Sequence, residues 1–150
     1  MSEDDFFWTP DEESNSIAII VRHLSGNMFS RWTNFLTTDG EKDFRKRDQE
    51  FVSNTHENKK ELISKWEKGW KCLLATLNLL TDNDLLKEVT IRSQKHTVIQ
   101  AINRQLTHYG YHIGQIIYIA KLRSGKEWET LSVERGKSEE FNEEMKKKNI

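Results

Sequence analysis

An all-α protein, organised as an up-and-down helical bundle, is the fold class this sequence predicts, and three observations carry the prediction. Apolar residues recur at steps of three and four over three long segments. Proline occurs once and glycine seven times, few for a loop-rich or all-β chain of 150 residues. Five tryptophans are spread along the chain, as large anchors of a small helical core would be. The length suits one domain over residues 1–150 with one core.

The first long helix runs from about Ser16 to Leu36, with Ile17, Val21, Leu24, Met28, Trp32 and Phe35 on one stripe. Two start signals precede it, Thr9-Pro10-x-Glu12 and, closer in, Asn15. Residues 37–56 read as a polar connection around Asp39-Gly40, and the charge run from Asp43 to Glu50 as a solvated loop of alternating sign. Asn54-x-x-Glu57 resembles a capping box for the second helix. Leu62, Trp66, Trp70, Leu73, Leu77 and Leu80 make that helix the best amphipathic pattern in the chain, with Cys72 at the edge of its stripe. Thr81-Asp82-Asn83-Asp84 breaks it, and residues 88–94 alternate weakly enough to suggest a short extended piece. The third helix runs from about Thr97 to Ser124, its stripe being Val98, Ile102, Leu106, Tyr109, Ile113, Ile116 and Ala120, and Ser124-Gly125 ends it. A tail helix starts at Ser138, with acids early and Lys146 to Lys148 late. Three long helices and a charged tail do not make four core helices.

Charge excludes several function classes. Lysine and arginine number 23 against 24 acids, a net charge of −1, so nothing argues for nucleic acid or an anionic membrane surface as partner. Mean hydropathy is −0.78, and no apolar run approaches the roughly eighteen residues of a membrane helix. The opening MSEDDFFWTP is acidic, unlike the basic start of a signal peptide, so a cytoplasmic protein is expected. A single cysteine, Cys72, excludes an internal disulfide framework and a cysteine-rich zinc site.

The histidines carry the chemistry. His108 and His112 are four apart on the third helix, so their rings lie on one face a turn apart and can share an ion. At roughly 100° per residue the apolar stripe centres about 120° from His108. The pair therefore stands at the margin of the core, in a sector shared with Ala101, Arg104, Gln105, Gln115 and Ile119. His23 stands in the same relation to its own stripe, beside Ile19, Asn27 and Ser30. Packing the two helices stripe to stripe brings the three imidazoles into one groove, a three-nitrogen site with open positions of the kind a catalytic metal needs. On spacing alone H-x-x-x-H is equally a polar helix edge. Tyr109 follows His108, so the general base of H-E-x-x-H is missing, and no Glu-x-x-His pair suggests a di-iron centre. His56 and His96 read as caps or solvated residues.

Three stretches, NSIAIIVRHLSGNMFSRWTNFLT (15–37), AINRQLTHYGYHIGQIIYIAK (101–121) and LSVERGKSEEFN (131–142), closely resemble the DinB-like superfamily, in an uncharacterised bacterial branch. The resemblance covers nearly the whole chain, and its third-helix motif is the most specific part. It implies a DinB/YfiT-like four-helix bundle, usually dimeric. It also implies a divalent metal (nickel, zinc, iron or manganese in different members) on one histidine from an earlier helix and two from an H-x-x-x-H helix; those positions are His23, His108 and His112 here. Members of the superfamily have a helix before the FFWTP-like segment at which this chain begins, so the expectation is either that the given sequence lacks that first helix or that another element, the tail or a partner subunit, takes its place. Glu134 stands where the pattern has proline.

Characterised relatives in that superfamily include thiol S-transferases that use bacillithiol, mycothiol or glutathione, so the resemblance implies a metal-dependent transferase acting on a low-molecular-weight thiol and an electrophilic co-substrate. A thiolate on the metal would be deprotonated at neutral pH and attack the electrophile; water in the same position would make a metal-dependent hydrolase instead. Gln115, a turn beyond His112, is placed to orient a ligand or water, and Arg104, a turn before His108, to meet a substrate carboxylate. The alternative of another class is a non-catalytic helical protein that forms oligomers or binds a partner around a vestigial metal site.

Overall fold

The computed structural model describes residues 1–52 and 56–148. Among them are five α-helices, α1 (Glu3–Phe7), α2 (Ile17–Trp32), α3 (Lys59–Asn78), α4 (Val98–Ser124) and α5 (Ser138–Lys148), and an antiparallel hairpin of β1 (Glu88–Ile91) and β2 (Gln94–Thr97). The fold is predominantly helical, but its helices are not the four matched rods of a simple bundle. Three are long, α1 is a single turn, and α5 buries none of its residues. The tail thus does not fill the place of a fourth core helix, because its charged sequence offers no apolar stripe to dock. No helix of the described residues is long and apolar enough to cross a membrane.

The buried rod is α2, with thirteen of its 16 residues inside. It is capped by Ser16, whose hydroxyl accepts from the Ile19 N–H at 3.2 Å; the Thr9-Pro10 signal lies in irregular chain. On one side α2 meets α3, whose Leu62 and Leu73 are buried and whose Trp66 and Trp70 are partly so, on the stripe their spacing predicts. Gly69 of α3 allows this closeness, since a Cβ there would stand 2.9 Å from the Met28 methyl. Asn58 and Glu61 form the capping box of α3. Of the expected Asn54–Glu57 box, Asn54 lies outside the described residues, and Glu57 pairs with Arg22 at 2.5 Å and with Lys65. The short α1 buries Phe6 and is tied to the C-terminal part of α4 by Asp5 and Arg123 at 2.7 Å.

On its other side α2 meets α4, capped at Thr97 by a box with Gln100 and closed at Gly125, whose φ of 53° only glycine adopts readily. The buried face of α4 keeps most of the expected stripe, with Val98, Tyr109 and Ala120 inside and Ile102 and Ile116 packed against the core, but it is wider than that stripe. Leu106 is 69% exposed, while Gln105 and His112 are inside with Val98, Ala101 and Tyr109. The face extends toward the histidine sector. His96, expected to be solvated or capping, lies in β2 opposite Val89 with its Nε2 buried.

The extended piece expected near residues 88–94 is one strand of two. The turn places Arg92 and Ser93 at φ 53° and 62°, a conformation neither favours. It is held from outside: the Asp39 carboxylate accepts from the N–H groups of Arg92 (2.8 Å), Ser93 (2.7 Å) and Glu41 (2.7 Å). Burial would raise the pKa of Asp39, but these donors prevail and bring it down to about 2. The 37–52 connection is thereby fastened to the hairpin tip.

Candidate metal centre

Two files of side chains face each other where α2 and α4 meet. His23, Asn27 and Arg31 recur at every fourth position of α2, and Gln105, His108 and His112 follow one edge of α4. The three histidines come together: one ligand atom from each lies within 4.8 Å of the others, and His23 Nε2 is 3.1 Å from His108 Nε2. Their ring centroids stand 4.8–5.2 Å apart. Among the described residues no other His, Cys, Asp or Glu trio converges in this way.

Two of the rings are oriented from behind. Glu50 Oε2 lies 2.9 Å from His23 Nδ1, and because a carboxylate only accepts, Nδ1 carries a proton and Nε2 is turned toward the cluster. Gln115 Oε1 stands 2.8 Å from His112 Nδ1 and fixes that ring in the same way. This is the arrangement by which proteins aim histidines at a metal. The third ring differs, for His108 Nδ1 is buried with no partner.

Glu50 belongs to the charge run expected to be solvated. It is buried instead, forked by Arg45 through Nε (2.8 Å) and Nη2 (2.9 Å), with Arg22 Nη1 donating to its backbone carbonyl at 3.2 Å. The run folds inward because Arg45 and His23 satisfy the carboxylate and Arg22 the backbone carbonyl, which offsets the penalty for burying the charge. Gly26 makes room: a Cβ there would stand 2.2 Å from Glu50 Oε1.

Burial raises the Glu50 pKa, but the hydrogen bonds from Arg45 and His23 outweigh it and leave the carboxyl below its ordinary range. Desolvation, with help from the neighbouring imidazoles, lowers His108 to about 4. Desolvation lowers His112 as well, against the opposing pull of Gln115. Both rings are therefore neutral at pH 7 and present nitrogen lone pairs without first losing a proton. The donor set suits a divalent borderline metal: three imidazoles, close enough for one ion at about 2.1 Å from each after a small rotation of the rings.

The rings form part of the wall of a cavity of about 380 Å³. Arg104 lines it too and is exposed, as the sequence reading placed it. Gln115 does not line it and touches the His112 ring from outside. Glu50, Arg45 and the buried Gln105 are the residues of this site that spacing alone did not find.

Comparison with known proteins agrees with this geometry at the level of the family. The profile of a family described as "Protein of unknown function (DUF1572)" matches residues 1–137. No curated protein and no solved structure matches the chain.

Proposed function

The chain belongs to the DUF1572 family, a DinB-like family, and from that premise and the histidine cluster we propose that it is a metal-dependent enzyme whose centre is His23, His108 and His112. The observation that supports this is the convergence of three imidazoles, two of them fixed through Nδ1, beside an open cavity. A divalent metal held by neutral ligands alone keeps its full charge and lowers the pKa of a thiol or water at its remaining positions.

The chain's own groups do the rest. Glu50 holds the His23 ring in one tautomer and compensates the positive charge of the site, while Arg45 keeps Glu50 from swinging away. Gln115 is a positioning residue for His112. Behind the cavity wall the Tyr109 hydroxyl accepts from the Trp32 indole N–H at 2.8 Å and donates to Oδ1 of Asn27, which lines the cavity, at 3.3 Å. The reading favoured by the family resemblance is transfer of a low-molecular-weight thiol to an electrophile in the cytoplasm, with hydrolysis by the same centre as the nearest chemical alternative. A homodimer fits the apolar line Ile99, Leu106 and Ile117, exposed along α4.

The test is metal content per chain, measured in protein purified without a metal-carrying tag, for the parent and for His108→Ala. One equivalent in the parent, lost in the variant, is expected. Cobalt substitution then follows, with a shift of the visible spectrum on adding a thiol. Parent protein that takes up no zinc, nickel or iron overturns the reading.

A further inference from the structure

The cavity beside the three rings has walls of one charge. Five guanidinium groups, those of Arg31, Arg45, Arg47, Arg92 and Arg104, line it, and no carboxylate does. The acids within reach stand behind the wall. Glu41 lies 3.2 Å from Arg31, 3.8 Å from Arg45 and 3.0 Å from Arg92; Glu50 is shared by Arg45 and His23; and Asp48, fully exposed, is 3.5 Å from Arg47. Five cations thus face three carboxylates before any metal adds its own charge. In a concave site with low-dielectric walls such an excess concentrates anions.

The arginines divide into two kinds. Arg31 and Arg45 are buried and committed to Glu41, Glu50 and the Gly40 carbonyl, so they build the wall. Arg104 pairs with no described residue, and Arg47 has only the long contact to Asp48 and a position over the Phe51 ring at 4.9 Å. Deeper in, Gln105 is 4% exposed, yet its Oε1 has no hydrogen-bond partner among the described residues. A buried amide oxygen without a donor costs free energy that a ligand N–H or O–H would recover.

We propose that this cavity is the binding site of a small organic anion, its carboxylate or phosphate oxyanion held at the rim by Arg104 and Arg47 and an N–H or O–H of its inner part given to Gln105. The inference rests on the metal reading only for where the ligand would react; the charge argument holds for the chain without metal. It also gives Arg104 and Arg47 a role in selection, by the fork geometry with which a guanidinium meets an oxyanion.

The experiment is calorimetric titration of the full chain at low salt, chelator-treated and zinc-loaded, with succinate, inorganic phosphate and the neutral succinamide. Succinate or phosphate is expected to bind both forms, with affinity falling as salt rises, and the stronger of the two identifies a planar or a tetrahedral oxyanion. Arg104→Gln combined with Arg47→Gln is expected to weaken binding at least about tenfold, since each removes a charge-assisted contact. Lys71→Gln, on the exposed side of α3, is expected to change nothing. Both arginines are exposed, and an unchanged melting temperature checks the fold of the variant. Succinamide binding as tightly as succinate, or anion affinity unaltered in the arginine variant, overturns the proposal. Arginine-dependent anion binding by a chain that takes up no zinc sinks the metal reading and leaves this one standing; zinc uptake without anion binding does the reverse.

Discussion

Helices α3 and α4 both pack on α2, and they do so by different rules. In α3 the apolar stripe is the buried stripe: Leu62 and Leu73 are inside, the tryptophans lean on them, and the lysines face water. In α4 the inner face holds Gln105, Tyr109 and His112, while Leu106, Tyr118 and Leu122 are more than half exposed. The α3 contact is held by area removed from water. The α4 contact sets part of that stabilisation aside to keep polar groups inside, some satisfied by partners and two, Gln105 Oε1 and His108 Nδ1, without one among the described residues. An interface that buries polar side chains where apolar ones were available on the same helix has been shaped by something other than packing.

This contrast can be broken from either side. The largest expected effect is on the polar side: Glu50→Ala leaves Arg45, its side chain 3% exposed, without its main counter-ion. A loss of about 3–5 kcal/mol in urea unfolding is expected, and Glu50→Gln is expected to fold better yet bind zinc about 10–100-fold more weakly than the parent. A parent-like zinc affinity in Glu50→Gln would show that the carboxylate does not tune the ring. On the apolar side, Leu62→Ala is expected to cost about 2–4 kcal/mol, with zinc stoichiometry unchanged below the unfolding transition.

Acid separates the two contacts more gently. An unfolded His108 titrates near its ordinary 6.5, whereas in the fold it is held to about 4. Between these values the unfolded chain binds the extra proton, so the stability of chelator-treated protein is complete above pH 6.5 and declines as the pH falls toward 4. Melting curves against pH check this, and His108→Gln is expected to flatten the decline. The smallest effect belongs to the outer face of α4, where Leu106→Ser is expected to change stability by no more than about 0.5 kcal/mol. Sedimentation of this variant tests the proposed dimer, which it is expected to weaken.

Legibility followed the same division. Periodicity located α2, α3 and α4 within a few residues, whereas the caps of α2 and α3 are Ser16 and Asn58, which the start signals at Thr9-Pro10, Asn15 and Asn54 did not name. His23, His108 and His112 were legible as edge residues, and the structure does bring them together. The extension of the inner face of α4 to Gln105 and His112, with Leu106 left outside, was not, since a hydrophobic period cannot report polar groups held inside. The hairpin was half seen because its turn, Arg92-Ser93, has none of the residues that favour positive φ and relies on Asp39, far away in sequence. Glu50 looked like one charge among many. Its trace lay elsewhere, in Gly26 on α2, a residue that weakens a helix by about 0.5–1 kcal/mol and is kept where something must come close.

The distance along the chain between the metal-facing residues bears on when an ion can be captured. His23 and His108 are 85 residues apart and meet only across the finished α2–α4 contact. Closing a loop of that length costs about 4 kcal/mol of chain entropy before the first bond forms. The H-x-x-x-H pair, by contrast, is offered by any nascent α4. An unfolded or newly made chain therefore holds an ion by two nitrogens at most, and the third arrives with the tertiary structure. Metal uptake at this cluster would therefore follow folding, where in a zinc finger it drives it, and chelator-treated chain would be folded and ready to be filled.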